Sequence, residues 1–203
     1  MTQRSDEFKV KIEGHLKITE YENIEDVGDE SKACRVHVDK RNAVHEENAS
    51  ILIARAIANR ENGSIFTMHF GTGGATVDPL GNILFATPNT TGAADLNTPV
   101  YFEVVDDNQA APAGNQMAVR HINGTLFSDV EIRCVIDKNE PFGQAAFDNV
   151  GGVNLNTSLF VFDEIGLKTE DDLLVTHVVF TPVEKSANRI FEIVYVLRIR
   201  IAT

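Results

Sequence analysis

Paired carboxylates are the first residues in this chain that could do chemistry. Asp106-Asp107, followed by Asn108, and Asp171-Asp172 each set two acids side by side. General acid–base work needs a second group held across a cleft, and chain neighbours do not supply that separation. Both pairs border strand-like runs, so solvated turn residues are the plain reading. A calcium loop would alternate oxygen ligands around a glycine and close on a glutamate, and no such run occurs. The histidines are His15, His37, His45, His69, His121 and His177, with neither H-x-x-x-H nor H-E-x-x-H spacing, so no helix presents a metal-binding pair. His69 and His177 fall inside apolar runs and read as satisfied, neutral or edge-exposed histidines rather than metal ligands. Cys34 and Cys134 fit no metal spacing, and Cys134 alternates with apolar residues as a small core hydrophobe would. No G-x-S-x-G occurs. The expectation is no catalytic residue, no cofactor and no metal.

Gly71-Thr72-Gly73-Gly74 invites comparison with a phosphate loop. Such a loop needs a following helix whose N-terminal amides face the anion, and usually a lysine. Here Ala75-Thr76-Val77-Asp78-Pro79 follows, which looks extended and carries no lysine. The expectation is a turn in which glycine permits positive φ.

Charge narrows the function classes. Thirty acidic and 18 basic residues leave a net charge of −12, which opposes wrapping of nucleic acid. Six of the acids crowd Glu20 to Glu30, an expected acidic loop. The opening M-T-Q-R-S-D-E-F has no apolar stretch, so no secretory leader is expected. The triplets beginning at Asn48, Asn89, Asn123 and Asn156 then read as composition rather than glycosylation sites. No run of about 18 apolar residues occurs, so no membrane partner is expected.

The elements that must position these residues are mostly strands. Phe8 to Thr19 alternates, with an expected bend at Gly14. Cys34, Val36 and Val38 mark a second short strand. A helix is expected over 43–60, capped by Asn42, with Glu46 and Glu47 in its early turns and Asn62-Gly63 ending it. Its run Ile51-Leu52-Ile53-Ala54-Arg55-Ala56-Ile57-Ala58 is apolar nearly all round, so cover is expected on more than one side. Asp78-Pro79-Leu80-Gly81 has type I turn chemistry. Thr87 to Pro99 and Asp106 to Ala118 are long loops nearly free of lysine and arginine, of the kind that is functional or docked on a partner. Leu126 to Asp137 alternates, with Leu126, Val130, Ile132, Cys134 and Ile136 expected inward. Leu159 to Phe162 is apolar on both faces. Leu173 to Val183 and Ile190 to Ala202 are expected to pair as a hairpin forming the spine of the main sheet. The predicted fold is mainly β: a single domain, 1–203, as an antiparallel β-sandwich with one prominent α-helix packed against it and long loops. Within it, 1–40 supplies N-terminal strands and the acidic loop, and 41–203 the helix and antiparallel core.

Four segments carry a family resemblance. A-S-I-L-I-A-R-A-I-A-N followed by I-F-T-M-H-F-G-T-G-G-A-T-V-D-P-L-G-N-I, then F-D-E-I-G-L (Phe162 to Leu167), then T-P-V-E-K-S-A-N-R-I-F-E-I-V-Y (Thr181 to Tyr195), resemble structural proteins of tailed bacteriophage virions. The resemblance implies assembly rather than catalysis. It implies a subunit made in the host bacterial cytoplasm, with copies of itself and other virion structural proteins as partners. The expected role is a ring or layer at the neck or tail, built through loops 71–99 and 106–125 and helix 43–60. The residues expected at that interface are Leu52, Arg55, Phe70, Gly71, Gly73, Gly74, Asp95, Asn97 and Asn108. A capsid decoration protein is the nearest alternative. A receptor- or glycan-binding module using loops 87–99 and 106–118 is a second, and a hydrolase built on Asp106, Asp107 and His121 a third.

Overall fold

A computed structural model describes residues 9–60, 62–105, 117–138, 140–141 and 159–202. Two five-stranded antiparallel sheets face each other. The first is built from β1 (Lys9–Tyr21), β2 (Arg35–Arg41), β8 (Met117–Asn123), β9 (Ser128–Ile136) and β12 (Ile190–Ala202), in the order β2-β1-β12-β9-β8. The second holds β3 (Ala43–Val44), β4 (Ile65–Gly71), β7 (Pro99–Val104), β10 (Leu159–Thr169) and β11 (Leu174–Ser186), in the order β3-β11-β10-β4-β7. A separate hairpin pairs β5 (Ala75–Val77) with β6 (Ile83–Phe85). Among the described residues the single α-helix, α1, spans Glu46–Ile57. The predicted mainly-β sandwich with one helix is the fold that forms. Among the described residues, no helix is long and apolar enough to cross a membrane.

Alternation explains most of the first sheet. Phe191, Ile193, Tyr195 and Leu197 of β12 are buried in the core between the sheets. Arg198 and Arg200, on the other face of β12, pair with Asp129 and Glu13. On β9, Ile132, Cys134 and Ile136 point inward as predicted, whereas Leu126 lies before the strand and is exposed. The acidic segment folds over the outer face of this sheet as two short 3-10 turns, Ile24–Asp26 and Glu30–Lys32. It covers a small satellite cluster of Tyr21, Val135 and Ile190.

The second sheet departs from the expectation. The strands after Leu173 and Ile190 do not form a hairpin. β11 pairs with β10 and β3, and β12 pairs with β1 and β9, so the turn between them carries the chain from one sheet to the other. The physical reason lies in β11 itself. Its residues Leu174 to Phe180 are all buried, so this strand needs cover on both faces, which a strand at the outside of a sandwich ordinarily lacks. One face meets the core. The other is roofed by segment 72–98.

Two local expectations change as well. β1 runs unbroken through Gly14 in register with β12. Glycine is needed there because the Asn42 amide occupies the space a Cβ would take. With Asn42 held against Gly14 and donating to the Tyr195 hydroxyl, it does not cap α1. His45 does, its Nδ1 accepting the Asn48 N–H at 3.2 Å. The helix stops at Ile57, short of Asn62, and Asn59 takes the left-handed conformation just after it, with φ 50°.

Candidate functional site

The roof over the second sheet is held by two adjacent acids in β10. Glu164 is fully buried. Its carboxylate accepts the backbone N–H of Gly73 at 3.2 Å, of Asn97 at 3.0 Å and of Thr98 at 2.7 Å. It also accepts the Asn97 side-chain amide and His177 Nε2–H, each at 2.9 Å. Asp163 accepts the N–H of Gly74 at 2.7 Å and of Ala75 at 3.0 Å. Consecutive residues in a regular strand point to opposite faces, but the register with β11 breaks between Phe162 and Glu164, which lets both side chains reach one turn. The F-G-T-G-G and F-D-E-I-G motifs are therefore two halves of one anchor, joined in space.

This geometry corrects the expected role of the glycines. Gly71, Gly73 and Gly74 are not among the residues with positive φ. They are glycines because of close approach: a Cβ would strike the Glu164 carboxylate at Gly71, Asn97 and Thr98 at Gly73, and the Asp163 backbone at Gly74. Gly166 plays the same part under the roof, where a Cβ would strike Leu96 and Leu174.

The electrostatics follow from burial and donors. Burial acts to raise the Glu164 pKa, but the bonds from His177, Thr98 and Asn97 outweigh it and hold the carboxyl below its ordinary range. Asp163 is pushed up by burial, with the Gly74 and Ala75 amides opposing. His177 Nδ1 accepts the Asn89 N–H at 2.8 Å, so its proton sits on Nε2 and points at Glu164. His45 uses Nε2 toward the Gly92 carbonyl at 3.1 Å. Both histidines are buried and satisfied, as expected for His177. Lys168, also buried, joins Asp95 of the roof at 2.8 Å to Asp172 at 2.9 Å. His69 stacks on Phe102 with centroids 5.3 Å apart, and burial lowers its pKa, helped by the Lys168 charge.

The loop 87–99 was expected to be functional or docked on a partner. Its inner side is anchored on this subunit, where Leu96 plugs the sheet and Asn89, Gly92, Asp95 and Asn97 make hydrogen bonds or ion pairs, while its outer side is exposed. Gly71, Gly73, Gly74, Asp95 and Asn97 thus come together around Glu164 and Lys168, with Gly71 and Gly74 buried beneath the roof and Asp95 and Asn97 exposed along it. Phe70 is a core residue packed on Phe162 at 5.2 Å. Arg55 bonds Asp171 at 2.7 Å, tying α1 to the β10–β11 turn. Asn108, Asp106 and Asp107 lie outside the described residues, and His121 sits exposed on edge strand β8. Sequence reasoning did not single out Asp163, Glu164 or Lys168. The available signal was an acid pair and a lysine inside the otherwise apolar run of β10, since buried polar groups are the informative exception.

A second feature is surface. α1 buries only Asn48 and Ala49. Ile51, Leu52 and Ile53 are half-buried, and Ile57 is 81% exposed. Beneath the helix, at the open mouth between the two sheets, lies a groove of about 220 Å³. Leu52, Ile53, Ile12, Val130, Val175 and Ile199 are among the apolar side chains that line it. It continues into a second recess of about 480 Å³ along β1, bordered by Val10, Lys11 and Glu46. Val10 is itself exposed and registers with exposed Ile201.

The β5–β6 hairpin is another apolar surface. Gly81 N–H donates to the Asp78 carbonyl at 3.0 Å, and Gly81 has φ +87°, a type I turn closed by a left-handed residue. Asp78 also accepts from Leu80 and Asn82. Val77, Leu80, Ile83, Leu84 and Phe85 are all exposed. Among the described residues, no group of three or more His, Cys, Asp or Glu side chains converges as a metal site. Comparison with known proteins finds no matching family model, no matching curated protein and no matching solved structure.

Proposed function

We propose that this chain is a non-enzymatic structural subunit of a tailed-phage virion, joining copies of itself in a ring or layer at the neck or tail. The groove under α1 carries this reading. An apolar helix flank, an apolar groove and the exposed pair Val10 and Ile201 adjoin on one end of the sandwich, and contiguous surfaces of this kind mark interaction sites. Each Leu or Ile fully covered by a neighbour contributes about 1.5–3 kcal/mol. The buried acids support the same reading. Glu164 receives donors on both oxygens from backbone, Asn97 and His177, which makes it a structural anchor. A net charge of −12 keeps free subunits soluble before they meet.

Light scattering of the purified chain and gold labelling of phage particles test this role together. The expected result is a multimer in solution and label at the neck or tail. Label confined to the head surface would favour the decoration role instead. A strict monomer, with no label on particles, would remove the proposal.

A further inference from the structure

We propose that the β5–β6 hairpin of one subunit seats its apolar side chains in the groove beneath α1 of a second copy. This deepens the assembly reading and rests on it. The groove is concave, so two grooves face to face would enclose a void, and its occupant has to be convex. Of the 14 exposed large hydrophobic residues among those described, five lie between Val77 and Phe85, which makes the hairpin the chain's own concentrated apolar projection. Register puts Ala75, Val77, Ile83 and Phe85 on one of its faces.

The hairpin is also held ready. Its turn is fixed by Asp78 and Gly81, and its root by Asp163 on Gly74 and Ala75 and by the Ala86 N–H on the Gly74 carbonyl at 2.8 Å. A segment already ordered loses little entropy on docking. Size agrees. An apolar cavity of about 150 Å³ accommodates one benzene, so a groove of about 220 Å³ takes one aromatic or large aliphatic side chain. Charge does not oppose the fit. Segment 72–98 contains no lysine or arginine, and at the recess bordering the groove Lys11 is balanced by Glu46 and by its own pair with Glu13 at 2.7 Å.

Hairpin and groove lie on different parts of the subunit. The hairpin packs over β11 on the outside of the second sheet, and the groove opens between the sheets at α1. The contact is therefore head-to-tail, and such contacts close into rings when the rotation between neighbours permits.

Sedimentation and cross-linking of the full chain test this. Leu80→Ser with Phe85→Ser alters only exposed side chains. It is expected to leave melting unchanged and to weaken association about ten- to hundred-fold. Separately, Val77→Cys chains are mixed with Ile53→Cys chains, both carrying Cys34→Ser to remove the exposed thiol, and treated with a short bis-maleimide. A cross-linked dimer is expected in the mixture and in neither preparation alone. If the double variant assembles like wild type and the mixture gives no dimer, the hairpin does not fill the groove, and the assembly reading stands without it. If the unaltered chain remains a monomer at millimolar concentration, both fall.

Discussion

Glu164 shows how one side chain organises a surface. It sits in β10 and gathers backbone amides from both ends of segment 72–98, so this carboxylate sets where the roof begins and ends. Glu164→Gln keeps the shape but turns one acceptor into a donor facing amide donors. The expected loss is about 2–4 kcal/mol, read by urea unfolding, with faster amide hydrogen exchange across 86–98 as the local signature. Acid should show the same dependence. The folded Glu164 pKa lies below its ordinary 4.5, so its stabilisation is complete above that value and is lost as pH falls through the folded pKa. Asp163, raised from 3.8, works in the opposite sense and removes stability as pH rises above that value. The Gln variant should therefore lose less stability than wild type on acidification below pH 4.5, and an unchanged acid slope would count against Glu164 as the anchor. A second residue predicts the alkaline side. Lys185 is buried, its ammonium donating to the carbonyls of Asp137 at 2.8 Å and Glu140 at 2.9 Å. Burial lowers its pKa from 10.5 to about 8, against the pull of Glu140 and Asp137. A base lowered on folding binds fewer protons than in the unfolded chain, so unfolding free energy should rise between pH 8 and about pH 9. Above that, the buried Cys134 thiol, raised well above 9.0 by burial, and then Tyr21, raised from 10.0 to about 12 mainly by burial, oppose the trend. A pH series of denaturant midpoints checks both limbs.

At the scale of elements, α1 is the informative case. Its apolar run was legible because the helical period leaves almost no polar stripe, and the structure covers only the flank at Asn48 and Ala49. Its start was not legible. Asn42 has better capping chemistry than His45 by residue type, but its amide is held between Gly14 and Tyr195, contacts that chain neighbours do not reveal. Leu52 is half-buried and lines the groove. Leu52→Asp should cost about 1–3 kcal/mol by removing apolar burial and desolvating a carboxylate, and should abolish multimer formation. Melting and sedimentation both matching wild type would show that this flank has no cover in the assembled state. The β5–β6 hairpin was legible at its turn, where Asp78, Pro79 and Gly81 stand at the required positions. The outward orientation of Val77, Leu84 and Phe85 was not, because a three-residue strand of apolar residues reads equally as core.

At the scale of the whole molecule, an assembly made through apolar groove contacts should respond weakly to screening. Going from low salt to about 1 M, where the Debye length is near 3 Å, the multimer should persist, and sulfate should strengthen it. Dissociation at high salt, followed by sedimentation velocity, would assign the contact to ion pairs instead. Chain order alone specified an antiparallel sandwich, one helix and the inward faces of β9 and β12, because alternation depends on residues only two apart. It did not specify that β11 and β12 belong to different sheets, or that a long loop docks on its own subunit. Those outcomes rest on pairings such as Gly73 with Glu164, 91 positions apart. Which distant carboxylate meets which amide depends on the packed arrangement of both sheets, and no local period encodes that.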